Sequence, residues 1–336
     1  MDKQVIFAVA GSGKTTHIVN SLSVNKRSLI VTYTISNFKN LSEKIANKFH
    51  GNWPENITLL TYYQFLFRFC YKPFLSDRIK ARGIIYEPNP NQFARQNNIS
   101  YFLSSGGYFY SNRLALFINQ NLSEQVKRRI EKYYDEFIID EIQDIAGRDF
   151  TFLETLMGTN VNMLFVGDFY QHTFDTSRDG NVNKSLFDDF STYEARFVSK
   201  GFVSDRTTLV NSWRCGKKIC DFISANLGIS ISSNRSTDDD EPSILFISDS
   251  ASVETILANP AIIKLHFRES YKFGAGRRNW GDTKGEDNHE DVCVMLNKTT
   301  AEYYKKEKLC DLKPSTRNKL YVAITRAHGN VYLIYE

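Results

Sequence analysis

The sequence predicts an α/β chain built on parallel β-sheets. Two observations lead there. Short apolar, β-rich runs alternate with amphipathic helical patterns, and the first run passes through a glycine-rich turn straight into a helix. Strands are expected at 4–9, 27–34, 136–140, 162–168, 243–248, 291–296 and 330–336, where apolar residues cluster between turn signals. The segments ISNFKNLSEKIANKF (35–49) and LSEQVKRRIEKYYDEF (122–137) carry helical spacing, and residues 243–267 read as a strand–helix–strand unit. Residues 72–112 are turn-rich and aromatic, as expected of an insertion, and 232–243 reads as a solvated acidic loop.

Composition narrows the class. With 336 residues and 42% hydrophobic content, the chain can form about two domains with packed cores. A formal charge of +4 permits a nucleic-acid partner without demanding one. The five cysteines are Cys70, Cys215, Cys220, Cys293 and Cys310, and the only close pair lacks a second pair at zinc-ribbon spacing, so buried reduced thiols are expected. No apolar run reaches the roughly 20 residues of a membrane span, and no signal-like segment precedes the first strand. A soluble, cytoplasmic protein with no membrane partner is the expectation.

The opening turn carries the first chemistry. In AVAGSGKTTHIVN (8–20), Gly11, Ser12, Gly13, Lys14 and Thr15 stand between a strand and a helix. Such a turn aims backbone N–H groups and the helix dipole at phosphates. Lys14 would reach the β- and γ-phosphates, and the Thr15 hydroxyl would bind Mg²⁺. Loops of this kind serve kinases, GTPases, transporters and motors alike, so the loop does not fix the reaction.

Two later strand ends narrow it. In FIIDEIQD (137–144), Asp140 and Glu141 fall at the carboxyl end of a strand. Asp140 would hold Mg²⁺ through water, and Glu141 would act as general base on an attacking water, which a hydrolase needs and a small-molecule kinase does not. In LFVGDFYQHTF (164–174), the Gln171 amide projects where a γ-phosphate could be sensed. Far downstream, Arg214 in VNSWRC (210–215) and Arg326 in KLYVAITRAHGNVYLI (319–334) supply cations that could neutralise transition-state charge.

The ordered set resembles the superfamily 1 helicases of the UvrD/Rep type over nearly the whole chain. AGSGKTT looks like motif I, VTYTISN (31–37) like motif Ia and TLLTYYQF (58–65) like the DNA-contacting motif after it. DEIQD and GDFYQHTF are similar to motifs II and III, and SWRC, GDTKGED (281–287) and YVAITRA (321–327) to motifs IV, V and VI. The resemblance implies two RecA-like lobes, 1–204 with a short insertion at about 72–132 and 205–336, with the ATP site in the cleft between them. It places Gly11, Ser12, Gly13, Lys14, Thr15 and Thr16 on the phosphates, Trp213 on adenine and Asp287 near the ribose. Lys14, Glu141, Gln171, Arg214 and Arg326 are the implied catalytic set, with Thr15 and Asp140 on Mg²⁺. Tyr33, Thr61, Phe174 and Thr283 fall on DNA-contacting positions. For Tyr33 and Phe174 a core ring is an equal alternative in a chain that is 14% aromatic.

Departures from the family shape the functional expectation. Its adenine-reading glutamine motif is missing ahead of the loop, so GTP is expected to be used within about tenfold of ATP. Motif III lacks a second aromatic, and motif V reads KGEDNHED after Thr283. The large accessory domain usually found between motifs IV and V has no room in residues 215–283. The expected function is ATP-driven translocation on single-stranded DNA, 3′ to 5′ by family analogy. The alternatives are a DNA-sensing regulatory ATPase that licenses a partner nuclease in repair or phage defence and, more distantly, a small-molecule kinase.

Overall fold

The computed structural model describes residues 2–173, 181–235 and 242–336. It divides into two compact units whose segments interleave along the chain. The first comprises 1–6, 15–167 and 175–205; the second comprises 7–14, 168–174 and 206–336.

The first unit holds a six-stranded sheet. Its strands are β1 (Lys3–Phe7), β2 (Ser28–Thr32), β3 (Ile57–Thr61), β4 (Glu136–Asp140), β5 (Asn162–Gly167) and β6 (Val203–Asp205), in the order β3-β2-β4-β5-β1-β6. Parallel registers join β2 to β3, β2 to β4, β4 to β5 and β1 to β6. All five residues of β2 and of β4 are buried, the mark of strands covered on both faces. The register sets Thr32 opposite Thr61 and Asp140 opposite Val166, so the carboxyl ends of these strands line up on one side of the sheet. In open α/β sheets that side is where ligands bind.

The helix Ile35–Lys48 follows the expected pattern. Thr34 caps it by accepting the Asn37 N–H at 3.1 Å, and Leu41 and Ile45 bury its inner face. The second helical pattern begins earlier than expected, running from Ser111 to Tyr133. Leu114, Ile118, Leu122, Val126 and Ile130 are buried at a spacing of four, which explains its length. The region read as an insertion contains a short parallel pair, Gly83–Ile85 with Tyr108–Tyr110, preceded by a π-helix over Phe65–Tyr71.

The second unit holds a five-stranded parallel sheet. Its strands are β7 (Ile244–Phe246), β8 (Ile263–His266), β9 (Arg277–Asn279), β10 (Val292–Leu296) and β11 (Val331–Tyr335), in the order β7-β11-β10-β8-β9. The helices Lys217–Leu227 and Pro314–Ile324 pack on it through Ile219, Ile223, Leu320 and Ile324, around the buried Trp280. Ser232 and Ser233, read as loop, instead pair in parallel with Asn211 and Ser212.

The cysteines are free thiols. Four are buried, but Cys310 is exposed, contrary to expectation: it lies in a short 3-10 turn beside Asp311 and not on a packed face. Among the described residues no helix is long and apolar enough to cross a membrane.

Candidate nucleotide site

The phosphate loop links β1 to the helix Lys14–Ser21. Gly11 and Gly13 adopt φ of +69° and +85°, a conformation that side-chain-bearing residues rarely take. Between them Ser12 is pinned by its N–H and its hydroxyl, which both donate to the Val9 carbonyl, at 3.3 and 2.8 Å. Lys14 is nearly buried at the head of the helix. The turn is held from outside as well. The Trp213 N–H donates to the Gly11 carbonyl at 2.9 Å, and a Cβ on Gly11 would lie 2.7 Å from both the Arg214 Cβ and the Ser212 Oγ.

A hydrogen-bonded chain runs through the second unit from this loop. The Ala10 N–H donates to the Tyr321 hydroxyl at 2.9 Å, which donates to Asp168 Oδ2 at 3.0 Å. The same carboxylate oxygen accepts from the Gln171 amide at 2.9 Å. Burial drives the Tyr321 phenol well above its ordinary pKa, so it remains a donor. Tyr321 escaped the sequence reading as a functional residue although it opens YVAITRA, because only a fold brings it to Ala10.

The two arginines have different surroundings. The Arg214 guanidinium pairs with Asp287 at 2.5 Å and donates to the Thr325 carbonyl at 3.0 Å. His328 also contacts Asp287, at 2.9 Å. Burial raises the Asp287 pKa, but Arg214 and His328 outweigh it and hold the carboxyl below its usual range. Arg326 is only 1% exposed and donates to the carbonyls of Val322, Glu286 and Thr283 at 3.0, 2.9 and 3.4 Å. Burial, with the like charge of Arg214 next, pulls its pKa down to about 10. Trp213 is 66% exposed, with its Cδ1 3.9 Å from where a Gly13 Cβ would be. An indole so displayed can stack on a base.

The acidic pair lies in the first unit. Asp140 ends β4, is 2% exposed and accepts the Thr32 hydroxyl at 3.4 Å. Glu141 follows at φ 58°, ψ 49°, left-handed for a non-glycine residue, and accepts a hydrogen bond from the Gln143 amide. A Cβ on Gly167, at the end of β5, would run into the Gln143 side chain, so glycine there makes space for the group that holds Glu141. A threonine hydroxyl and a carboxylate form an oxygen donor set suited to a hard divalent cation, and in that respect Thr15 and Asp140 fit Mg²⁺. The Thr16 hydroxyl accepts from Lys44 at 3.0 Å.

Of the residues expected on nucleic acid, Tyr33 and Thr61 follow and end neighbouring strands of the first unit, and Thr283 belongs to the second. Tyr33 lies half-buried among Tyr62 and Tyr63, with ring centroids 6.2 and 6.0 Å away, and burial raises its pKa to about 12. Thr61 forms a capping box with Gln64, its hydroxyl accepting the Gln64 N–H at 3.3 Å. Thr283 is buried, with its hydroxyl donating to the Trp280 carbonyl at 3.2 Å. Phe174 lies outside the described residues.

Fold and loop together define a phosphate-loop nucleotide-binding protein built on two RecA-like parallel sheets. The family profile described as an AAA domain matches residues 2–175, and the chain belongs to that family. With that match the chain is a member of the UvrD/Rep-like superfamily 1 group. Among solved structures it is similar to the arterivirus nonstructural protein 10 helicase in complex with DNA, at 14% identity and a TM-score of 0.51, over 100% of this chain and 60% of that one. At that identity the likeness is one of fold. The helicase of PRRSV (13% identity, TM-score 0.49, 98% of this chain and 52% of that one) and a further structure of the arterivirus helicase (16%, 0.49, 99% and 59%) are also similar. The chain thus spans about half to three-fifths of these helicases. Comparison with curated proteins gives no match.

Proposed function

We propose that the chain is an ATP-driven translocase on single-stranded DNA. The observation that carries this reading is the hydrogen-bonded chain from Ala10 through Tyr321 and Asp168 to Gln171, which ties the phosphate loop to the expected γ-phosphate sensor. In this reading Lys14 binds phosphate, and Thr15 and Asp140 hold Mg²⁺, which would screen phosphate charge. Glu141 takes a proton from water. Arg214 and Arg326 bear on transition-state charge, and Trp213 and Asp287 on adenine and ribose. Tyr33, Thr61, Phe174 and Thr283 are the proposed DNA-contacting positions, and the 3′-to-5′ direction rests on the family resemblance.

Surface composition supports a single-stranded partner. Over residues 76–95, exposed Arg78, Lys80, Arg82 and Arg95 outnumber the acidic Asp77 and Glu87, and Tyr86 and Phe93 are exposed among them. Cations interleaved with open aromatic rings suit a phosphate backbone and its bases without sequence preference. The DNA named with the arterivirus helicase is a partner of the same class.

Hydrolysis measured with and without oligo-dT, over a salt series, tests the proposal. Single strands should stimulate turnover about tenfold or more, with apparent affinity falling steeply as salt rises. An unresponsive ATPase would refute it. Long-duplex unwinding by the chain alone should be poor, because the described residues between 215 and 283 are taken up by strands, helices and turns of the second unit.

A further inference from the structure

Tyr321 stands on the helix Pro314–Ile324, fully buried, and its hydroxyl is the middle link between two segments remote in sequence. On one side it takes the Ala10 N–H, at the start of the phosphate loop. On the other it donates to Asp168 Oδ2, the oxygen that also receives the Gln171 amide. The other Asp168 oxygen accepts the Tyr170 N–H at 3.1 Å, so the carboxylate is gripped from its own turn as well. The same helix touches this turn again, where the Asn318 amide donates to the His172 carbonyl at 3.3 Å.

We infer that Tyr321 is a positioning residue: its hydroxyl joins the Ala10 N–H to the carboxylate that anchors Gln171, so that phosphate loop and sensor amide are set together. This rests on the ATPase reading above. The chemistry is that of a shared acceptor. Asp168 Oδ2 accepts from both the Tyr321 hydroxyl and the Gln171 amide, and removing the first alters how the amide is held. Phenylalanine at 321 would keep the ring, which lies 6.2 Å from that of Tyr170, and would remove both hydrogen bonds.

The test is a double-mutant cycle on ATP hydrolysis with Tyr321→Phe, Gln171→Ala and the pair, and Asp168→Asn as an independent route to the same link. Tyr321→Phe should lower kcat about tenfold with KM for ATP within about twofold, since one lost bond bears on the carboxylate that anchors Gln171, the other on the Ala10 backbone, and neither on substrate. In the Gln171→Ala background the same change should have no further effect. Asp168→Asn should behave like Tyr321→Phe. Effects that multiply, a change confined to KM, or a Gln171→Ala variant as active as wild type would each overturn the inference. Basal hydrolysis suffices for the cycle, so a wild-type protein that ignores DNA would refute translocation and leave this result readable.

Discussion

Glu141→Gln is expected to reduce ATP turnover at least 100-fold while nucleotide binding stays within a few-fold of wild type. An amide cannot accept a proton from water, yet it has the size of the carboxylate. The left-handed backbone at φ 58° already accommodates a long side chain, so glutamine adds no new strain there. Gln143, which donates to the Glu141 carboxylate, can donate equally to the amide oxygen of the variant. Turnover by rapid quench and affinity by a fluorescent ATP analogue give the two readouts. Hydrolysis near the wild-type rate would remove Glu141 from the role of base.

Arg214→Ala and Arg326→Ala should both lower hydrolysis, but through different physics. Arg214 is aimed by Asp287 and by the Thr325 carbonyl, and alanine there removes a cation and leaves Asp287 without that partner. A loss of about 10³-fold in kcat with modest change in ATP affinity is expected. Arg326 is enclosed by carbonyls, and its truncation strands those acceptors and leaves a cavity. It should cost on the order of 3 kcal/mol of stability and lower the Tm. Thermal unfolding beside kinetics separates the two. An Arg214→Ala protein with wild-type kcat would place its guanidinium outside the chemistry.

Much of this was legible in the chain, for identifiable reasons. Fully buried parallel strands show as continuous apolar runs, and β2, β4 and β10 lie where those runs predicted, as does the largely buried β11. The glycine turn and the acidic end of β4 were readable because their chemistry is local. Strand β9 was not: its residues are Arg277, Arg278 and Asn279, a charged edge with neither alternation nor apolar run. The link from Ala10 to Tyr321 crosses 311 positions and leaves no local trace. The burial of Arg326 was equally hidden, since apart from the neighbouring Thr325 hydroxyl it donates to backbone carbonyls, which every sequence possesses.

The crowding at Gly11 bears on how the chain can be recombined. No side chain fits there, because Ser212 and the base of Arg214 occupy the volume a methyl group would need. The Gly11 carbonyl is also bonded to Trp213. Residues 211–214 therefore act as a mould for the loop, although they are encoded about 200 residues downstream. A chimaera that exchanges the first 20 residues alone would mate a foreign loop with a native mould. Grafts should carry both segments, or keep both.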